Sequence, residues 1–296
     1  MVSVIPGVRW RQLLPNQTSQ LVVHDIVSGH DEVLYETDAL VLEAPNWNPQ
    51  GTHISLNAGG RLYELDVRDS TLAHIEVVGL DDLNNDHLYS HDGSTVFLSS
   101  ELTGHLFEVP REGGVPIRIS NEHELPFSYF LQGISPDGAE LSFVGASAIA
   151  DGGFTSRLGT IPSGGGPETF HTDWAAPAVG FDYAPDGGWW YLNAELDARR
   201  PGDSQIYRMR PTGEGLQRLT HDERVNWFPK VSPDGSRIVY LSYEEGAVGH
   251  EANRHVELRL MQPDGSGIET VASFVGGQGT LNVNSWAPDS SAFAYV

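Results

Sequence analysis

The sequence predicts an all-β fold, a six-bladed β-propeller of four-stranded antiparallel blades, and three observations carry that reading. A turn phrase of the Pro-Asp-Gly kind recurs six times, at Asn48-Pro49-Gln50-Gly51, Ser90-His91-Asp92-Gly93, Ser135-Pro136-Asp137-Gly138, Ala184-Pro185-Asp186-Gly187, Ser232-Pro233-Asp234-Gly235 and Ala287-Pro288-Asp289-Ser290. The steps between copies are 42, 45, 49, 48 and 55 residues, a period that points to a propeller or an array of like units. Counted from the glycine position, the third residue is always apolar (Ile54, Val96, Leu141, Trp190, Ile238, Phe293), and so is the fifth (Leu56, Leu98, Phe143, Leu192, Tyr240, Tyr295).

Each phrase is suited to a hairpin turn. Proline presets φ at the second position, Asp bonds back to nearby amides, and Gly takes a backbone shape that other residues resist. The strand after it reads as a nearly continuous apolar run, as in Arg237-Ile238-Val239-Tyr240-Leu241, which is expected of a strand covered on both faces. A second repeat lies between the phrases: Arg61-Leu62-Tyr63-Glu64-Leu65, His105-Leu106-Phe107-Glu108-Val109, Arg157-Leu158-Gly159-Thr160-Ile161, Gln205-Ile206-Tyr207-Arg208-Met209 and Val256-Glu257-Leu258-Arg259-Leu260. Turn-rich stretches and a further short strand, such as Gln217-Arg218-Leu219-Thr220, follow these segments. Two hairpins per period make a four-stranded blade.

The leading hairpins fall near residues 42–57, 84–99, 129–144, 178–193, 226–242 and 281–296, but only five trailing hairpins lie between them. The sixth is expected at the other end of the chain, from residues 19–37, so that strands near Leu21 share a sheet with Phe293. Closing the ring in this way hides the open strand edges. Residues 1–296 are thus expected to form a single propeller domain.

The pattern Ser-Pro-Asp-Gly, apolar strand, Ile-Tyr-Arg-Met and Leu-Thr, clearest over residues 204–243, resembles the TolB-type, WD-repeat-like propeller family of bacterial proteins. The resemblance covers nearly the whole chain, although the Trp-Asp dipeptide of true WD repeats is missing. It implies a six-bladed ring, and related repeats serve in transport systems, peptidase propellers and polysaccharide lyases. TolB itself carries an N-terminal α/β domain, for which this chain leaves no length. The resemblance points to the periplasm, whereas no signal peptide is visible in Met1-Val2-Ser3-Val4-Ile5-Pro6, which points to the cytoplasm.

Composition narrows the function classes. The net charge is −23, from 17 basic and 40 acidic residues, so nucleic acid and anionic membrane surfaces are repelled. No apolar run approaches the roughly 18 residues of a membrane-spanning helix, so no membrane insertion is expected. The absence of cysteine excludes disulfides and thiol catalysis. There is no Gly-x-Ser-x-Gly elbow, phosphate loop or dinucleotide fingerprint.

Function is expected on the loops around a central funnel, opposite the Pro-Asp-Gly turns. The links entering the inner strands supply Glu43, Asn46, Asn85, Asp86, His87, Tyr129, Phe130, Gln132, Asp182, Asn226, Trp227, Asn282 and Asn284. This polar ring with aromatic interruptions suits a peptide or a sugar, with channel hydration as its structural counterpart. His87 is the one histidine expected to face the channel. The links from second to third strand are longest at residues 145–156, 193–204 and 242–254, and carry Arg199, Arg200, Glu244, Glu245, His250 and His255. The pair Arg199 and Arg200 is a candidate carboxylate anchor, weighed against a solvated surface pair. His123, His171 and His221, beside Glu122, Asp173 and Asp222, are metal candidates on weak spacing, with solvated rim histidines as the favoured reading.

The sequence therefore favours a monomeric, non-catalytic module without cofactor. It would bind a protein or peptide over its funnel, in an envelope or transport-associated complex. The alternative is a metal-assisted lyase or hydrolase acting on acidic oligosaccharides, with a divalent metal at the histidines and a small sugar acid as ligand.

Overall fold

The computed structural model describes residues 10–148, 154–172 and 178–296. Five sheets of four antiparallel strands, at residues 43–75, 83–118, 127–170, 178–218 and 225–276, form the first five blades. The sixth is built from both chain ends. Its strand Ser19–Asp25 lies between Asp31–Thr37 and the C-terminal strand Ala292–Tyr295, with His24 opposite Phe293 and Val22 opposite Tyr295. The ring closes as the spacing of the repeats requires.

The innermost strand of this closing blade is not a regular strand. It is reduced to a bridge between Trp286 and Phe293, flanked by the bond from Ala294 N to Ser285 O at 2.8 Å. The cause is local competition: Asn282 Oδ1 accepts from Gly279 N, and Asn284 Oδ1 accepts from Trp286 N. Side-chain amides here take backbone partners that a ladder would use.

All twelve repeat positions from Ile54 to Tyr295 are buried. The cores lie between blades rather than within them. Leu88, Phe97 and Leu106 of the second blade pack with Tyr129, Leu131 and Phe143 of the third. The closing blade is held from both sides: Val22, Phe293 and Tyr295 join the fifth blade's cluster, and Leu21 and Ala294 join the first blade's.

The turns form a ring of their own. In the fifth blade, Ser232 Oγ donates to Asp234 Oδ1, which also accepts from Ser236 N at 2.9 Å, while Gly235 sits at φ 71°. The ideal Cβ positions of these glycines face the preceding turn: Gly51 meets Pro288, Gly93 meets Gln50, Gly138 meets His91, and Gly235 meets Pro185. Each turn thus braces the next on the face opposite the funnel.

Each inner strand of the first five blades carries a register shift, between Glu43/Asn46, Leu83/His87, Leu131/Gly133, Val179/Phe181 and Trp227/Lys230. A bulge bends a strand and re-aims its side chains. Two bulges place non-glycine residues in the left-handed region, Ala44 at φ 54° and Phe228 at φ 53°. Such a backbone costs on the order of 1–2 kcal/mol per residue. At Phe228 it is supported by Asn193 Oδ1, which accepts the Phe228 N–H at 3.1 Å.

Candidate functional site

The bulges deliver polar side chains to the axis, and the most consequential of these is Lys230. It is the single lysine of the chain, it is wholly buried, and its Nζ donates to Gln132 O at 3.4 Å. A side chain rooted in the fifth blade therefore ends against the third. The carboxylates whose charge acts on it belong to Asp182 of the fourth blade and Asp86 of the second, the blade diametrically opposite.

Burial pushes the Lys230 amine down, against the pull of the two carboxylates. It pushes the Asp86 carboxyl up to about 7, opposed by Lys230 and assisted by Glu101. Asp182 is also raised by burial, although Val231 N, Tyr183 N and Asn284 Nδ2 all donate to it at 3.0 Å. Among the described residues Asp86 has no such donors. Lys230 thus reaches from the fifth blade to the third, where the charges of Asp182 and Asp86 act on it.

Around this tie most of the polar ring is engaged within the protein, while His87 Nε2 and Gln132 Oε1 are buried without a hydrogen-bond partner among the described residues. Asn85 Nδ2 donates to Glu43 Oε1 and Asn85 Oδ1 accepts from Asn57, both at 3.1 Å, joining the first two blades. Asn284 Nδ2 donates to Asp182 and to Val231 O, joining the last three. Asn46 Oδ1 accepts from Tyr89 N while its Nδ2 donates to Asn284 O, bridging second, first and sixth. Asn226 bonds Gln205, Asp222 and Ser242. Asn282 is used on Gly279, and Gln132 Nε2 turns back on Phe130 O. These groups stitch blades together, which is what buried polar groups must do somewhere.

Several candidates lie away from the channel. His87 is buried against the backbone of Ser55 and Asn85, and burial pulls its imidazole down to about 4, so it is neutral. Tyr129 is turned between the second and third blades, its OH 2.7 Å from His123 Nε2 and bonded to Glu168. Phe130 is half-buried against the core between the third and fourth blades. Trp227 is covered by His250, whose ring meets it edge-on at 4.7 Å, and His250 is itself bonded to Gln278. It is a packing residue rather than an open aromatic platform.

The three histidines occupy separate surroundings. His123 stacks on Phe127 at 3.9 Å, His171 lies edge-on to Trp190 and 2.9 Å from Thr160 Oγ1, and His221 is exposed. Their acidic companions are engaged elsewhere, Glu122 with Arg118 and Asp222 with Arg259, while Asp173 lies outside the described residues. Among the described residues no group of three His, Asp or Glu side chains is arranged to hold a metal ion.

The mouth is shaped by loops and by the N-terminal segment. Arg11 Nε donates to Glu43 Oε1 at 3.0 Å and its NH2 to Gln278 O at 2.6 Å, so one guanidinium closes the seam between first and sixth blades. Gln17, further along the segment, reaches Asn253 at 2.9 Å. Arg200 is bonded to Asp203 at 2.7 Å and Glu245 at 3.0 Å, whereas Arg199 beside it is exposed and unpaired among the described residues. Glu244 stands 3.6 Å from His255. Lys230 and Arg11 went unread in the sequence, yet a sole lysine two residues before a repeated turn was a visible signal.

No protein-family model matches the chain. A curated relative, an uncharacterized protein of Agrobacterium fabrum, is 35% identical over 282 residues, covering 94% of this chain and 92% of its own. Among solved structures, a protein of Agrobacterium tumefaciens provisionally named TolB superposes with a TM-score of 0.84 at 31% identity, covering 94% of this chain and 97% of that one. TolB from Acinetobacter baumannii gives 0.62 at 17% identity, over 88% and 64%. An oligogalacturonate lyase in complex with manganese gives 0.56 at 13%, over 87% and 74%. The last two are likenesses of fold alone.

Proposed function

Since the chain belongs to the family of TolB-like six-bladed propellers, we propose that it is a non-catalytic recognition module that binds a protein or peptide partner over the mouth of its funnel. The observation that carries this reading is the fate of the polar ring. Asn46, Asn85, Asp182, Asn226 and Asn284 are bonded to neighbouring blades and loops, and Asn282 and Gln132 Nε2 to nearby backbone, so most of the ring braces the interior and the rim loops present groups to a partner. Leu102 on a link of the second blade, Leu125 between the second and third, and Val248 on a link of the fifth are each at least two-thirds exposed, and Arg199 stands on the corresponding link of the fourth. An exposed apolar and charged rim over a rigid scaffold is suited to protein recognition.

Lyase chemistry has less behind it, because His123, His171 and His221 do not share a site. The test is affinity capture from the native cell, with metal analysis of the same sample. A partner retained by the wild type and by a turn-face variant such as Asp92→Ala, but lost with Leu102→Asp and Arg199→Glu, supports the reading. A partner held equally by all three mouth and turn variants removes it.

A further inference from the structure

A pocket of about 140 Å³ opens at the mouth between the fourth and fifth blades. Four of the chain's sixteen arginines line it: Arg199, Arg200, Arg218 and Arg224. Their pairing is uneven. Arg200 is spent on Asp203 and Glu245. Arg224 turns to Ser242 and stands 3.3 Å from Glu257. Asp222 is held by Arg259 at 2.7 Å and by Asn226 at 3.0 Å.

Two cations and two anions are left over. Among the described residues Arg199 has no partner, and Arg218 uses only its Nε, on Thr220 O at 2.7 Å. Asp197 and Glu223, both exposed, accept no hydrogen bond among the described residues. A ligand of one sign would meet as much repulsion as attraction here. One that carries both signs a few ångströms apart satisfies all four groups. A free α-amino acid carries both charges on either side of a single carbon and is small enough to enter a pocket of this size.

We propose that this pocket binds a free α-amino acid, its carboxylate on the Arg199 and Arg218 guanidiniums and its ammonium on Asp197 and Glu223. The proposal deepens the reading of the mouth as the binding face and rests on it. Bidentate guanidinium contacts supply the geometry for the carboxylate. Occupancy of the pocket would alter the rim charge that a partner meets.

The test is a titration of the ¹⁵N-labelled protein, followed by backbone amide shifts, with each common L-amino acid. N-acetyl-L-alanine and L-alanine amide are added as single-charge controls. The expected result is saturable shifts in residues 197–203 and 222–224 with at least one amino acid, and binding about tenfold or more weaker for both controls. Arg199→Ala and the double variant Asp197→Asn/Glu223→Gln should each weaken binding by a similar factor. No saturable shift with any amino acid overturns the proposal. So does equal binding of N-acetyl-L-alanine that survives Asp197→Asn/Glu223→Gln, which would make the pocket a plain carboxylate site. The titration uses no partner, so its failure leaves the partner reading to its own capture experiment.

Discussion

Lys230 Nζ lies 3.4 Å from the backbone oxygen of Gln132, and this contact ties the fifth blade to the third across the axis. Removing the cation leaves Asp86 and Asp182 buried with no positive charge beside them. Breaking a buried charge cluster by deleting one member costs about 3–5 kcal/mol. Lys230→Met, which keeps the length of the side chain, should lose that much in urea unfolding. Adding Asp86→Asn to it should recover a measurable part, because one orphaned carboxylate is then gone.

Asp86 makes stability fall as pH rises. Its folded value, about 7, lies above the ordinary 3.8, so between those values the folded state binds the proton and the unfolded state does not. The stability this contributes is present below about pH 4 and lost as pH rises through about 7, on the order of 4 kcal/mol in all. His87, drawn down to about 4, works in the opposite sense, its contribution fading as pH falls below about 6.5. The difference between wild type and Asp86→Asn isolates Asp86. The variant should gain on the wild type steadily from pH 4 to 7, and parallel curves would refute the assignment.

Arg11 and Glu43 make a second, partly buried pair, at the seam between the first and sixth blades. Arg11→Ala should destabilise by about 3 kcal/mol, because Glu43 keeps only the Asn85 donor. Arg11→Ala/Glu43→Gln should regain most of it, which denaturant midpoints would show.

Phe293, wholly buried, serves both the closing sheet and the core shared with the fifth blade. Phe293→Ala should cost about 3–5 kcal/mol. Hydrogen exchange should then rise first in the Ser19–Asp25 strand paired with it, ahead of the third blade.

The ring was legible because a turn phrase and two apolar offsets survive in every blade, and those features are local. Even the split blade could be counted out from Leu21 and Phe293. The site was legible only as a set of positions. Asn85, Gln132 and Asp182, expected in the links entering the inner strands, stand within those strands, and Asn284 lies just before the closing bridge; nothing local in the sequence reveals the bonds these residues make across blades. Tyr129 was misplaced for a different reason. It stands on an inner strand whose register shifts between Leu131 and Gly133, and its side chain turns between blades to His123. Arg199 and Arg200 read as a pair, and only the folded loop shows that Arg200 is neutralised by Asp203 and Glu245 while Arg199 is not.

A chain whose one lysine lies sealed on the axis shows no lysine amine to its surroundings. Acylating reagents, and enzymes that modify lysine, meet that amine only in molecules whose blades have parted. Reaction at Lys230 is therefore a clock for the opening of the ring, readable at a single residue by mass. Any substitution that loosens the closing blade should quicken it.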